Sequence, residues 1–506
     1  MRRLSLFSLV AWCSAASVTS AQANDGSRAC SRTTQMMKQS CRNAARSDYW
    51  LSLANCENIP DLEERLECRT EAFEELREAF ADCTTQRRLR EEICEEVGQD
   101  RYCPEIDPEN FVEEINNPYF PLPVGKTWVY EGDTDEGPEV IIVTVTHRKR
   151  EILGVECTEV RDVVRVDGEI VEDTVDYYAQ DLEGNVWYFG ELSFEIEGGE
   201  IANLEGSWES GVDSAKPGII MLAQPEVGTV YRQEVLRGEA EDMARILGVD
   251  ESLTIGIGSY DGVVRTGEFT PLEADVDEQK FYAAGIGLLA EMNIESSERV
   301  ELVRCLEPGE VEEALFSIDY TAAGGTAQME LKLEGGGEVF RFQIFGPEDD
   351  LKFEAECFLP MQAGAEGLDV DSFDAPLADL LAAWPEGEYL VVAWGLDGTL
   401  YMGDGSVDHD LLDAVEVTVP AAGAEGVATD AFTVQWAAVE GAEFYRVEVE
   451  EEDGDTSVSS IVPGDTTSVA IDPAFFKAGT EYEIDLEVGG ENGNVTSTSI
   501  SFTTAE

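Results

Sequence analysis

The chain has 506 residues, 43% of them hydrophobic and 27% charged, a balance that excludes a wholly disordered protein and predicts about three or four domains. It carries 106 Asp and Glu residues against 33 Lys and Arg residues, spread over every segment, for a formal net charge of −73. Because nucleic acid and anionic membranes repel such a chain, we exclude both as partners and interpret the charge as an adaptation to salty surroundings. Binding of divalent cations is the alternative interpretation.

Residues 1–23 are typical of a secretory signal peptide. A basic start, Met1-Arg2-Arg3, precedes an apolar run from Leu4 to Val10 and a stretch of small residues that ends at Ala23. We expect cleavage after Ala23 and export to the periplasm or to the outside. Beyond Ala23 no apolar run reaches the roughly 18 residues of a membrane-spanning helix, so we predict no membrane span.

Residues 24–100 are predicted to form an antiparallel helical hairpin held by disulfides. Their six cysteines are separated by 11, 15, 12, 15 and 11 residues, and this series reads the same in both directions. A fold-back near Leu62 therefore pairs Cys30 with Cys94, Cys41 with Cys83, and Cys56 with Cys68, and it places the cysteines of each helix on one stripe. Without Cys-x-x-Cys or His ligands, the segment does not suggest a metal site. Residues 101–116 are interpreted as a linker.

Residues 117–306 are predicted to form a central aromatic-rich β domain. Alternating runs such as Thr127 to Tyr130, Val140 to His147 and Val155 to Val166 are typical of antiparallel strands. Their long succession of hairpins predicts a strongly curved sheet or an open β-barrel. The segment 206–221, rich in Gly, Pro and Trp, is interpreted as a long ordered loop across the rim.

Several blocks of this region resemble an uncharacterised family of secreted bacterial proteins. The blocks are Asn117-Pro118-Tyr119-Phe120-Pro121-Leu122, Trp187-Tyr188-Phe189-Gly190-Glu191, Gly206-Ser207-Trp208-Glu209 with Gly211-Val212-Asp213, Pro217-Gly218-Ile219-Ile220-Met221, and Gly238-Glu239-Ala240-Glu241-Asp242. The resemblance covers most of residues 105–305 and departs at Pro123-Val124, where the order is commonly reversed. It implies an exported bacterial protein and no particular activity.

The candidate ligand site lies in the same domain. Tyr178 and Trp187 belong to an aromatic cluster that suits a sugar or lipid, although strand alternation also predicts core packing for half of it. Trp208, Glu209 and Asp213 lie on the segment 206–221, and long ordered loops often carry function. The alternative interpretation of that segment is a plug that closes one end of the barrel.

Residues 311–412 are predicted to form a second β-rich domain with one short helix, Leu377 to Trp384. Asp404, Asp408 and Asp410 follow its closing hairpin but lack the loop spacing and terminal Glu of a strong calcium motif. We therefore interpret them as a surface turn and predict no cofactor and no metal site, with calcium as a weaker alternative.

Residues 413–506 resemble a fibronectin type III domain. The resemblance rests on evenly spaced strands, with Trp436 in the place of the buried tryptophan of strand B and Tyr482 in that of the corner tyrosine. It implies a β-sandwich that acts as a spacer or a docking module.

The sequence favours a non-catalytic protein. It has two histidines, His147 and His409, in different predicted domains, and no Gly-x-Ser-x-Gly, P-loop or dinucleotide fingerprint. We predict an exported envelope protein that binds or spaces, with an unknown small ligand or an envelope protein as its partner. The alternatives are a periplasmic carrier of a lipid or other apolar ligand and a carbohydrate-active enzyme with a carboxylate pair. Cys103, Cys157, Cys305 and Cys357 have no assigned pairing.

Overall fold

The structure is a computed structural model that describes residues 28–134, 137–273, 278–294, 298–356, 365–452 and 456–506. The predicted signal peptide and Cys357 lie outside the described residues. The chain forms two compact units. The first consists of residues up to Glu105 with Arg237–Met243 and Phe269–Val276, and the second of Ile106–Leu236, Ala244–Glu268 and Asp277–Glu506.

The first unit is built on a pair of antiparallel helices, α1 (Ala29–Cys56) and α2 (Leu62–Val97). Disulfides join Cys30 to Cys94, Cys41 to Cys83, and Cys56 to Cys68, with Cα–Cα distances of 5.7, 5.8 and 5.7 Å. The Asp61 side chain caps α2 by accepting hydrogen bonds from the amides of Glu63 and Glu64. The predicted disulfide-stapled helical hairpin is thus confirmed. Among the described residues, no helix is long and apolar enough to cross a membrane.

A buried ion pair attaches Arg237–Met243 to α2 within the first unit. The carboxylate of Glu241 accepts hydrogen bonds from Arg90 at 2.6 Å, from Arg237 at 2.5 Å and from the amide of Gly238 at 2.9 Å. The side chains of Arg90 and Glu241 are 5% and 1% exposed. Burial alone would raise the pKa of Glu241, but hydrogen bonds from Arg90 and the charge of Arg237 hold it below its ordinary value.

The central region folds as one 16-stranded sheet and a separate two-stranded ribbon, β2 with β3, and a short 3₁₀ helix (Pro108–Asn110) precedes them. Its strands are β1 (Phe111–Val112), β2 (Asn116–Asn117), β3 (Phe120–Pro121), β4 (Thr127–Thr134), β5 (Gly137–Ile152), β6 (Val155–Val166), β7 (Glu169–Asp181), β8 (Val186–Glu197), β9 (Glu200–Asn203), β10 (Trp208–Glu209), β11 (Lys216–Met221), β12 (Val230–Arg232), β13 (Glu234–Val235), β14 (Met243–Ile255), β15 (Gly258–Phe269), β16 (Glu278–Ala283), β17 (Gly287–Asn293) and β18 (Arg299–Leu306).

The 16-stranded sheet is a nearly closed barrel, as the sequence predicts. Its main path runs β12-β14-β15-β16-β17-β18-β4-β5-β6-β7-β8-β11-β13. The two ends of this path, β12 and β13, are separated by Gln233 alone, so the chain itself joins the ends. A Cβ atom at Gly218 on β11 would collide with the backbone of Arg232 and Gln233, which explains the glycine at this close approach.

Two expectations for this region need correction. The segment 206–221 is not a loop throughout, because β10 and β11 within it pair with β8. Gly190 on β8 allows this pairing, since its φ is 153° and a Cβ atom there would lie 2.5 Å from the carbonyl oxygen of Trp208. The predicted linker 101–116 also contains β1, which pairs with β7 in the sheet.

The C-terminal region contains a 13-stranded sheet, a three-stranded sheet and a further 3₁₀ helix (Pro473–Phe475). Its elements are β19 (Gly309–Glu310), β20 (Glu313–Thr321), β21 (Thr326–Phe345), β22 (Leu351–Glu356), β23 (Ala365–Asp371), β24 (Ala375–Pro376), α3 (Leu377–Ala383), β25 (Gly387–Gly395), β26 (Leu400–Val407), β27 (Val417–Val419), β28 (Ala424–Val427), β29 (Thr433–Trp436), β30 (Phe444–Glu451), β31 (Ser457–Pro463), β32 (Ser468–Ala470), β33 (Glu481–Gly489) and β34 (Val495–Thr504).

The last ninety or so residues form a two-sheet sandwich, as expected for a fibronectin type III fold. The strands β27-β29-β32 face the run β34-β33-β30-β31 across a core of their own. Trp436 is buried, and its ring centroid lies 5.2 Å from that of Tyr445. The Tyr482 hydroxyl accepts a hydrogen bond from the Lys477 amide at 2.8 Å. This bond is the corner contact that the sequence resemblance implies.

Residues 309–407 have a second core, yet their sheet continues into the sandwich. The junction is a parallel pairing of β20 with β34 at Asp319, Tyr320 and Thr321. Asn494, 3% exposed, accepts a hydrogen bond from the Ile318 amide and donates to the Asp408 carbonyl, both at 2.8 Å. The predicted domain boundaries stay a prediction, and one sheet runs across the last of them.

Candidate functional site

The barrel encloses a cavity of about 180 Å³ that is mainly aromatic and aliphatic but also carries charged groups. The aromatic side chains that line it are Phe120, Trp128, Tyr130, Tyr178 and Tyr282, and the charged ones are Asp162, Asp176, Lys280 and Glu291. A mostly apolar pocket with a few convergent polar groups is the usual form of a small-molecule site.

Curvature of the sheet brings the charged groups of this cavity together. Asp162 on β6 and Asp176 on β7 lie on one side, and Lys280 on β16 and Glu291 on β17 come from the other end of the strand order. Strands β17, β18, β4 and β5 separate β16 from β6 along the sheet. Curvature of the sheet over these strands places both sets around one space.

Hydrogen bonds and ring contacts fix several of the aromatic side chains. Trp128 donates from Nε1 to the Ile286 carbonyl at 2.8 Å, and the Tyr130 hydroxyl donates to the Leu288 carbonyl at 3.2 Å. The Tyr178 ring packs edge-on against Phe120 at 5.3 Å and stacks on Tyr188 at 4.8 Å. These contacts hold the rings in place before any ligand binds.

Lys280 already has carboxylate partners. Its Nζ atom lies 3.0 Å from Glu268 Oε2 and 3.4 Å from Glu291 Oε2, and its side chain is 24% exposed because it faces the cavity. Burial alone would lower the pKa of Lys280, but the two carboxylates raise it well above its ordinary value. Burial also raises the pKa of Glu278 to about 7, with repulsion from Glu291 adding to the shift. Lys280 is therefore a charged group held by acids and not a free amine.

Asp162 and Asp176 have no cationic partner, since neither forms an ion pair with Lys or Arg in the described part of the chain. Burial raises the pKa of Asp162 to about 7, with repulsion from Glu172 and Glu291 adding to it. Burial likewise raises the pKa of Asp176 to about 7, although a hydrogen bond from the Tyr188 hydroxyl at 2.5 Å opposes the shift. Asp162 Oδ1 is shielded from solvent and has no hydrogen-bond partner among the described residues. An orphaned carboxylate oxygen of this kind is costly unless a ligand pairs with it.

Of the five predicted ligand residues, Tyr178 lines the cavity and Trp208 does not. Trp208 is 4% exposed, and its ring packs edge-on against Tyr188 at 5.3 Å. Trp187 belongs to another apolar cluster, packs against Phe111 and donates from Nε1 to Asp181 at 2.8 Å.

The two predicted acidic ligand residues lie away from the cavity. Glu209 accepts a hydrogen bond from Arg150 at 2.5 Å, and Asp213 is exposed in a turn with a φ of 48°. Tyr178 and Trp208 both pack against Tyr188, but the structure does not assemble the five residues into one site.

Sequence reasoning missed Asp162, Asp176, Lys280 and Glu291. With 106 acidic residues in the chain, an acid on a strand carries little information by itself. The useful signal is the position of Asp162 directly before Val163 and Val164, and of Lys280 directly before Phe281 and Tyr282. A charged residue that interrupts an apolar strand of a barrel is a candidate for the interior.

A second cavity of about 260 Å³ lies between β5 to β8 and the strands β21 and β25. Two of its charged groups are in ion pairs: Arg161 with Asp173 at 2.6 Å and Arg341 with Glu354 at 2.5 Å. His147 lies 3.5 Å from Asp349 and packs against Phe345, and burial lowers its pKa. This cavity is therefore a weaker candidate. No group of three or more His, Cys, Asp or Glu side chains suited to a metal ion occurs among the described residues.

No family model matches the chain, and no curated protein sequence matches it. Among solved structures, a two-domain fibronectin type III segment of chicken tenascin is similar at 15% identity, covering 38% of this chain and 97% of that one, with a TM-score of 0.17. Fibronectin(III)-like modules of Clostridium thermocellum CbhA match at 12% identity over 38% of this chain and 93% of that one, with a TM-score of 0.20. Domains FN1–FN3 of chicken CNTN1 match at 11% identity over 52% of this chain and 98% of that one, with a TM-score of 0.21.

Proposed function

We propose that this chain is an exported, non-catalytic binding protein of the bacterial envelope, with its central β domain as the ligand platform. The observation that carries the proposal is the orphaned Asp162 carboxylate in a cavity lined by fixed aromatic rings. Three disulfides support a compartment outside the reducing cytoplasm. The C-terminal sandwich serves as a spacer or docking module in this proposal.

The cavity favours a small polar ligand over a lipid. Its volume of about 180 Å³ is below the roughly 300–1,000 Å³ of typical ligand pockets, and four charged side chains line it. An acyl chain would leave the Asp162 carboxylate without water or a partner, which is unfavourable. The alternative of a carbohydrate-active enzyme gains no support from Glu209 and Asp213, since the first is ion-paired and the second is exposed.

A thermal-shift screen of the mature protein tests this proposal. Sugars, amino acids, carboxylates, amines and lipids would each be added, since a ligand present at about 100 times its Kd stabilises the folded state by about 2.7 kcal/mol. Val300 lines the cavity, so Val300→Phe is expected to abolish the shift. Val227, which is 63% exposed and away from the cavity, gives the matched control Val227→Phe.

Two outcomes would contradict the proposal. One is that no compound of any class stabilises the wild-type protein. The other is that Val300→Phe and Val227→Phe respond equally to the compounds that do.

A further inference from the structure

We infer that the ligand of this cavity is a small organic ammonium ion, with its nitrogen against Asp162 and its carbon atoms against the aromatic rings. This inference deepens the proposed function and rests on it. Its basis is the combination of an unpartnered carboxylate with fixed aromatic walls in one enclosed space.

The balance of charge around the cavity is negative. Lys280 is the one cationic side chain that lines the described cavity, and it is already held between Glu268 and Glu291. Asp162 and Asp176 are left without a cation, and the single hydroxyl proton of Tyr188 is shared between Asp176 at 2.5 Å and Glu191 at 2.9 Å. An added positive charge would relieve this repulsion, whereas an anion would increase it.

The walls of the cavity select an organic cation. The faces of Trp and Tyr rings attract ammonium groups, and aromatic cages for such ions are a recurrent design in proteins. Trp128 and Tyr130 use their polar atoms on backbone carbonyls, which keeps their rings in place around the space. The carbon atoms of an amine would occupy the apolar part formed by Leu122, Ile141 and Val143.

Volume limits the size of the ligand. At about 30 Å³ for each water-sized group, the 180 Å³ cavity holds about six non-hydrogen atoms. A primary amine with four or five carbon atoms fits this space. An N–H group on the ligand would donate to the Asp162 carboxylate, which lines the cavity.

Protonation of the site adds a pH dependence. The charged groups that face Asp162 or its neighbours in the site are Glu172, Asp173 and Asp176 on β7, Glu268 on β15, Lys280 and Glu278 on β16, and Glu291 on β17. A cation needs Asp162 ionised, so protonation of this carboxyl as the pH falls through its pKa of about 7 weakens binding. For one carboxyl, the affinity is expected to fall about tenfold from pH 8 to pH 6.

The test is calorimetric titration of the mature protein with n-butylammonium, 1-butanol and butyrate, in about 0.5 M NaCl to screen the acidic surface. Butylammonium is expected to bind at one site, and butanol and butyrate at least tenfold more weakly.

Asp162→Asn is expected to lower butylammonium affinity at least tenfold at pH 8 and to remove most of its pH dependence. Glu169→Gln, an exposed acid on β7, is the matched control and is expected to bind like the wild type. Tyr178→Leu is expected to weaken binding about five- to thirtyfold.

Several results would overturn the inference. It fails if butanol or butyrate binds as tightly as butylammonium, if calcium chloride displaces the amine stoichiometrically, or if Asp162→Asn binds like Glu169→Gln. If the thermal-shift screen finds ligands blocked by Val300→Phe but none is a cation, the cation inference falls and the binding function stands. If nothing binds at all, both fall.

Discussion

Asp162 illustrates how the burial of one carboxyl group makes the stability of the fold depend on pH. Its ordinary pKa would leave it ionised above about pH 5, but burial and nearby carboxylates raise its pKa to about 7. Between those two values the folded protein holds a proton that the unfolded chain has lost. The stability from this group is therefore complete at low pH and is lost as the pH rises towards and through 7.

Asp162→Asn is expected to remove the loss of stability that accompanies rising pH. Between pH 5 and pH 8 the wild-type protein should lose about 2–3 kcal/mol of unfolding free energy through Asp162, and the variant should not. Urea denaturation at several pH values, followed by tryptophan fluorescence, measures the difference. The exposed acid variant Glu169→Gln should follow the wild-type curve. Parallel curves for all three proteins would show that Asp162 keeps an ordinary pKa.

At the residue scale the sequence predicts one residue of the cavity. Tyr178 is a candidate ligand residue because it belongs to an aromatic cluster, and the structure places it in the cavity wall. The opposing charges could not be predicted, because Asp162 and Lys280 lie 118 positions apart and meet only when the sheet curls. The same limit explains why the ion pair of Glu209 could not be predicted, since its partner Arg150 is on β5, far away in the sequence.

At the scale of elements, the helical hairpin is the part that sequence predicts best. Cysteine spacing is a constraint on distance, so its mirror pattern specifies both the pairing and the antiparallel direction of α1 and α2. The segment 206–221 is the opposite case. Its two short strands have little pattern of their own, and β8 supplies the partner that defines them.

The attachment of Arg237–Met243 to α2 depends on one carboxylate. Glu241→Gln leaves Arg90, 5% exposed, with an uncompensated charge, so we expect a loss of about 3–5 kcal/mol in unfolding free energy. Glu239→Gln changes an exposed acid two residues away and is expected to cost almost nothing. Guanidinium denaturation of the oxidised protein measures both variants, and equal stability of the two would contradict a structural role for the Glu241 charge.

At the scale of the whole chain, the unexpected feature is the continuous sheet at the C-terminal end. The strand patterns in the sequence predict two separate β domains there, and two hydrophobic cores are indeed present. The parallel pairing of β20 with β34 could not be predicted, since it joins strands about 176 positions apart without a hairpin between them. Parallel pairs of this kind have no local turn signal.

Asn494 is expected to maintain this junction. Asn494→Ala leaves the Ile318 amide and the Asp408 carbonyl without their partners, at a cost of about 1–3 kcal/mol. Hydrogen exchange read by mass spectrometry should show protection of the β20 peptide falling about five- to hundredfold. Glu491→Ala, an exposed change in the same loop, is the control. Unchanged protection in Asn494→Ala would mean that the strand pairing holds without this side chain.

Gln233 as the link between β12 and β13 has a consequence for assembly. The strands at the two ends of the barrel path are three and two residues long, so they offer little exposed backbone for another molecule's strand to extend. Because the chain itself connects these two end strands through Gln233, we expect the barrel to resist strand-to-strand polymerisation from them.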